Sequence, residues 1–179
     1  MITKTRVWWA AVLAVTSSLA WAGGGAGELS LDRGAVGAIV SAALPAPVKI
    51  GVAGLGSVAL QFAPPRRVEF SAGGVDVVLG VTVLPLQLAG DVNLRFLPVI
   101  DEQTGTVSFR AQSASASGPL GILPDLAPFF PPIALPRQFE MALVSVDDPS
   151  RMILSVQGVS VEADRLVVRL GLNSRGRAR

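Results

Sequence analysis

The 179-residue chain predicts an α+β fold: an N-terminal helix packed on a long, curved, mostly antiparallel sheet. Three observations carry this expectation. Val36, Ile39, Val40 and Ala43 are spaced i, i+3, i+4 and i+7, which places them on one face of a helix. From Pro47 onward the dominant period becomes two, the spacing of half-buried strands. Strands with one apolar face need a cover, and the helix and the proline-rich stretch 119–135 are the two segments apolar enough to supply it.

Residues 1–22 read as a secretory signal peptide. Lys4 and Arg6 form a basic start, Val7 to Ala20 is an apolar run, and Ala20-Trp21-Ala22 offers small residues for cleavage after Ala22. The run is too short to span a bilayer, which takes about 20 helical residues. The expected location is therefore the periplasm, reached by export across the inner membrane. Residues 23–172 are expected to form a single domain, and 173–179 a basic tail containing Arg175, Arg177 and Arg179.

Ser30 is positioned to cap a helix running to about Leu44, with Asp32 in its first turn and Pro45 and Pro47 ending it. Gly34 and Gly37 weaken this helix, so it needs tertiary packing. Val48, Ile50 and Val52, then Val58, Leu60 and Phe62, share one parity. Pro64-Pro65 is expected to break the strand pattern, and Gly73-Gly74 to turn it. Val75 to Val83 is a nearly continuous apolar strand. Within Thr82–Leu97, Leu84, Leu86, Leu88, Val92, Leu94 and Phe96 share one parity, interrupted by Pro85 and Gly90. The segment is either two strands or one bent edge strand. A polar turn from Asp101 to Gly105 leads into Val107, Phe109 and Ala111, making a hairpin.

Ser113 to Ser117 reads as a fading strand or linker. Pro119–Pro136 holds six prolines among large apolar residues, with a short helix expected around Pro124–Phe130. Further strands follow, with turns at Asp147-Asp148-Pro149-Ser150 and Glu162-Ala163-Asp164. The total expected is eight or nine strands.

Composition narrows the chemistry. The chain has no Cys, His or Tyr. Disulfides, thiolate sites, Ser-His-Asp and Cys-His arrangements and His-based zinc sites are excluded, as is a lipoprotein anchor on Cys. The adjacent carboxylates Asp101-Glu102 and Asp147-Asp148 read as solvated turns, and no metal site, cofactor or catalytic residue is expected. The stretch Gly51 to Gly56 matches no phosphate-binding loop. After cleavage 13 basic residues face 13 acidic ones, which argues against nucleic acid as a partner. An outer-membrane barrel is disfavoured, because all three Trp fall within residues 1–22 and Tyr is absent, leaving no aromatic girdle.

The order of these segments resembles bacterial periplasmic members of the tubular lipid-binding (TULIP-like) superfamily. Carrying the resemblance are Leu29-Ser30-Leu31 before a helix ending at Leu44-Pro45, the strand Val92 to Asp101 running into Thr104 to Val107, and a closing hairpin from Val159 to Val168. The resemblance covers residues 29–172. It implies a half-barrel fold with a lipid or other hydrophobic ligand held between helix and sheet. Expected lining residues are Val36, Ile39, Val40, Leu84, Leu86, Leu88, Leu94, Phe96, Phe129 and Phe130. Phe129 to Ile133 reads as a structural cover of the sheet, the alternative being a mobile lid or a wedge in peripheral contact with a membrane. Arg66-Arg67 and Arg95 read as strand-edge charge that discourages aggregation, with headgroup contact as the alternative. The functional expectation is a non-enzymatic lipid binder. The alternative is a ligand-free structural or interaction module of the cell envelope. Oligomeric state is left open.

Overall fold

A computed structural model describes residues 17–22, 26–52, 54, 56–101, 106–135, 138–144 and 149–172. Eleven strands and one α-helix lie among them, more strands than the eight or nine expected. Among the described residues the fold is mostly antiparallel sheet, with a curled six-stranded half-barrel and one α-helix.

The six-stranded sheet runs β3 (Val48–Val52), β4 (Gly56–Ser71), β5 (Gly74–Leu84), β6 (Leu88–Asp101), β7 (Thr106–Ala116), β8 (Ile133–Ala134) in spatial as well as chain order. The second sheet has the order β1 (Ser17–Ala22), β2 (Ala26–Leu31), β11 (Leu166–Leu172), β10 (Pro149–Val161), β9 (Gln138–Val144). Ser17–Ala22, the last six residues of the expected signal peptide, pair antiparallel with β2 along its whole length. The rest of that segment, residues 1–16, and the tail 173–179 lie outside the described residues, as do 102–105 and 145–148 of the expected turns.

Helix α1 spans Arg33–Ala43. Its cap is Asp32 rather than Ser30, because Ser30 is held in β2 opposite Val167. The Asp32 Oδ1 accepts a 2.8 Å hydrogen bond from the Ala35 amide, one of the donors a helix start leaves unpaired. Ala35, Val36, Ile39 and Val40 are buried. Burying each Val or Ile contributes about 2 kcal/mol, against about 1 kcal/mol lost at each glycine. Packing therefore holds this helix. Asp32→Ala is expected to cost about 1 kcal/mol, read as a lower urea midpoint at unchanged m-value.

Pro64-Pro65 does not break the sheet. β4 continues through both prolines, and its pairing with β5 shifts register between Phe62 and Pro65 and again between Pro65 and Arg67. Proline cannot donate to the ladder, so the strand bulges instead of ending. A second irregularity lies between Arg95 and Phe96 in the β6–β7 pairing. Bulges bend a strand and sharpen its twist, which suits a sheet that curls. The Gly73 turn forms as expected, with φ at 76°.

Thr82–Leu97 is two strands. β5 ends at Leu84, the chain turns through Pro85–Gln87, and β6 starts at Leu88 opposite Val83. In β5 the odd-numbered Val75, Val77, Leu79, Val81 and Val83 are buried, so Leu84 faces the other side. In β6 the buried face carries Val92, Leu94 and Phe96. Ser113–Ser117 is strand as far as Ala116, not a linker.

The proline-rich stretch holds two 3₁₀ turns, Gly118–Leu120 and Ala127–Phe129, in place of a single short helix. It follows the edge of β7. Leu126 donates to the Ala114 carbonyl, Leu135 to that of Val107, and β8 pairs Ile133 with Phe109. Leu120 packs over Gly90, where a Cβ would lie 2.7 Å from its Cδ1, so the close approach requires glycine there.

One apolar core joins both sheets. It includes Leu29 and Leu31 of β2, Leu154 of β10 and Leu166, Val168 and Leu170 of β11, together with the inner face of β3–β8 and helix α1. Among the described residues no polar or charged residue is buried.

Candidate functional site

The apolar stripe of α1 faces a cavity of about 30 Å³. Val36, Ile39 and Val40 line it from the helix, and Val75, Phe96 and Phe109 from β5, β6 and β7. Ile133, Leu135 and Leu166 close it. Every lining side chain is apolar, so nothing there orients a polar ligand or moves a proton.

Of the ten residues expected to line a ligand site, the structure brings Val36, Ile39, Val40 and Phe96 together at this cavity. Leu94 is buried in the same core without lining the cavity. Phe130 is buried against Phe62 of β4, with ring centroids 4.9 Å apart in an edge-to-face contact. Leu84 points to the opposite side of β5. Leu86, in the turn, and Leu88, at the start of β6, are 43% and 38% exposed, and Phe129 is 36% exposed. These four do not belong to the cavity. The hairpin at Pro85–Gln87 ends the parity that relates Leu84 and Leu86 to Leu94 and Phe96, whereas Leu88 keeps that parity but stands at the exposed start of β6, and Phe129 is exposed in the second 3₁₀ turn of the cover.

Val75, Phe109, Ile133, Leu135 and Leu166 also line the cavity and lie outside the set expected from the sequence. Each lies in an apolar run, but periodicity specifies a face of a strand and leaves open which strands meet the helix.

The charged side chains stand outside the core. Arg66 pairs with Asp91 at 2.8 Å and Arg95 with Asp76 at 3.4 Å, while Asp76 also accepts a hydrogen bond from Ser71. The hydrogen bond to Glu162 and the nearby carboxylates raise the Arg165 pKa above its ordinary value. Among the described residues no three metal-ligating side chains gather, and no helix is long and apolar enough to cross a membrane.

No protein-family model, curated protein or solved structure matches this chain.

Proposed function

We propose that the protein is exported and binds a lipid or other hydrophobic ligand between α1 and the inner face of the six-stranded sheet, without chemical change to the ligand. The observation that carries this reading is the convergence of helix, strands and cover on a wholly apolar cavity. A helix laid on a curled antiparallel sheet also fits the tubular lipid-binding resemblance. The driving force is transfer of apolar surface from water, about 25 cal/mol per Å².

The cavity volume sets the mechanism. About 30 Å³ leaves room for little more than water, whereas ligand pockets occupy about 300–1,000 Å³. A ligand enters only if α1 moves away from the sheet. Gly34 and Gly37 lower the helix's own stability and favour that movement.

The same small volume favours a second reading, a ligand-free module of the cell envelope whose core is closed. Native mass spectrometry of protein expressed with export and purified without detergent separates the two. A discrete adduct of phospholipid, fatty-acid or isoprenoid mass is the expected result. A bare polypeptide that takes up no fluorescent lipid overturns the binding reading. The same spectrum reads the N-terminus: cleavage after Ala22 leaves a chain starting at Gly23, without β1.

A further inference from the structure

Charge is distributed unevenly along the strands of the six-stranded sheet. Three connections lie at one end of it. β3 meets β4 at Val52 and Gly56, β5 meets β6 through Pro85–Gln87, and β7 runs out at Ala116 into the first 3₁₀ turn. Residues 48–61, 77–90 and 113–124, which build this end, contain one charged residue, Lys49, and no carboxylate. They contain no aromatic residue either. Glu69, Asp76, Arg95 and Asp101 lie toward the opposite end, around the Gly73 turn and the β6–β7 connection. Asp91, just inside the uncharged end, is neutralised by Arg66 at 2.8 Å.

The same end exposes apolar side chains. Leu86 and Leu88 stand at the hairpin, and Ile122 is 64% exposed. Ile122 follows the Gly118–Leu120 turn, whose Leu120 packs over Gly90, two residues from Leu88. Three of the five large hydrophobic residues exposed among the described residues therefore fall here. Leu84 and Pro85 share a solvent-open groove with Lys49, so the cation stands beside the hairpin. Pro85 has no amide hydrogen, which leaves the hairpin one fewer backbone donor to carry into an apolar phase.

We propose that this end docks on a bilayer containing anionic lipid, with the Pro85–Gln87 hairpin entering the headgroup layer. Aromatic and arginine anchors dominate protein–protein interfaces, and these three segments contain neither. Aliphatic side chains beside one lysine, with no carboxylate, complement a surface that offers apolar depth and negative charge. So few inserted side chains make the contact weak and reversible. It does not depend on a ligand being held beneath α1.

The test uses the full chain, expressed with export and purified without detergent, and vesicles of phosphatidylcholine with phosphatidylglycerol. Because the chain has no Cys, Leu86→Cys and Ile100→Cys each create a unique attachment point for an environment-sensitive fluorophore. Ile100 is 54% exposed near the far end of the same strand, β6, and serves as the control. The Leu86→Cys label is expected to shift to the blue when vesicles are added, and the Ile100→Cys label to stay unchanged. Unlabelled Leu86→Ser/Ile122→Ser is expected to co-sediment about tenfold more weakly than the parent with an unchanged circular dichroism spectrum, and Ile100→Ser within about twofold of it. Absence of co-sedimentation, equal shifts at both labels, or parental binding by the double variant overturns the proposal. So does co-sedimentation with neither label shifted, the result if residues 7–20 alone made the contact. A Leu86→Cys label that shifts as protein concentration rises, without vesicles, assigns this end to a second copy of the chain and also overturns it.

Discussion

Leu94→Ala is expected to cost about 3 kcal/mol of stability, whereas Leu86→Ala stays within about 0.5 kcal/mol of the parent. Leu94 is 1% exposed, in a strand flanked by β5 and β7 and cross-paired with Val77 and Ala114. Its truncation removes methyl groups from the core and leaves a void that ordered strands on both sides cannot close. Leu86 sits in the Pro85–Gln87 turn, where water already covers much of its side chain. The two residues are eight apart and share a parity, so an unbroken strand would place them on one face. Urea denaturation of both variants decides between the arrangements. Equal losses would mean one continuous face and would overturn the β5–β6 hairpin.

Asp125→Ala is expected to cost about 2 kcal/mol and to loosen the proline-rich cover. The Asp125 Oδ1 accepts a 2.9 Å hydrogen bond from the Ala114 amide on β7 and one of 3.1 Å from the Ala127 amide. It thus ties the cover to the sheet edge beside the Leu126–Ala114 backbone bond. Ala114 is 2% exposed, so removing the carboxylate leaves its buried amide without an acceptor. The expected signature is a lower urea midpoint with faster amide exchange at Ala114, Leu126 and Ala127. Unchanged protection at all three amides would show that the prolines and apolar contacts suffice to hold the segment. A carboxylate between two prolines' worth of loop carries no periodic signal, and its role was not legible in the sequence.

Much of the fold was legible because local spacing and burial coincide. The parity of Val75, Val77, Leu79, Val81 and Val83 is the parity of burial in β5, and Val92, Leu94 and Phe96 do the same in β6. The apolar stripe of Val36, Ile39 and Val40 faces the core as its spacing requires. Misreadings arose where chain direction changes or where two weak signals compete. Ser30 is the cap expected from the sequence, with Asp32 in the first turn, but pairing of Ser30 with Val167 on a distant strand leaves the cap to Asp32. Pro64-Pro65 signals an interruption of the ladder, which a bulge satisfies without ending the strand.

The sequence by itself determined the predominance of sheet, an amphipathic helix at Arg33–Ala43, the faces of the central strands, and the absence of Cys, His and Tyr chemistry. These follow from residue type and from spacing within one element. Tertiary structure alone decided which strands meet the helix and how little space they leave between them. Those outcomes depend on pairings and packing between residues far apart in the chain, and the periodicity of one segment carries no information about the distance to another.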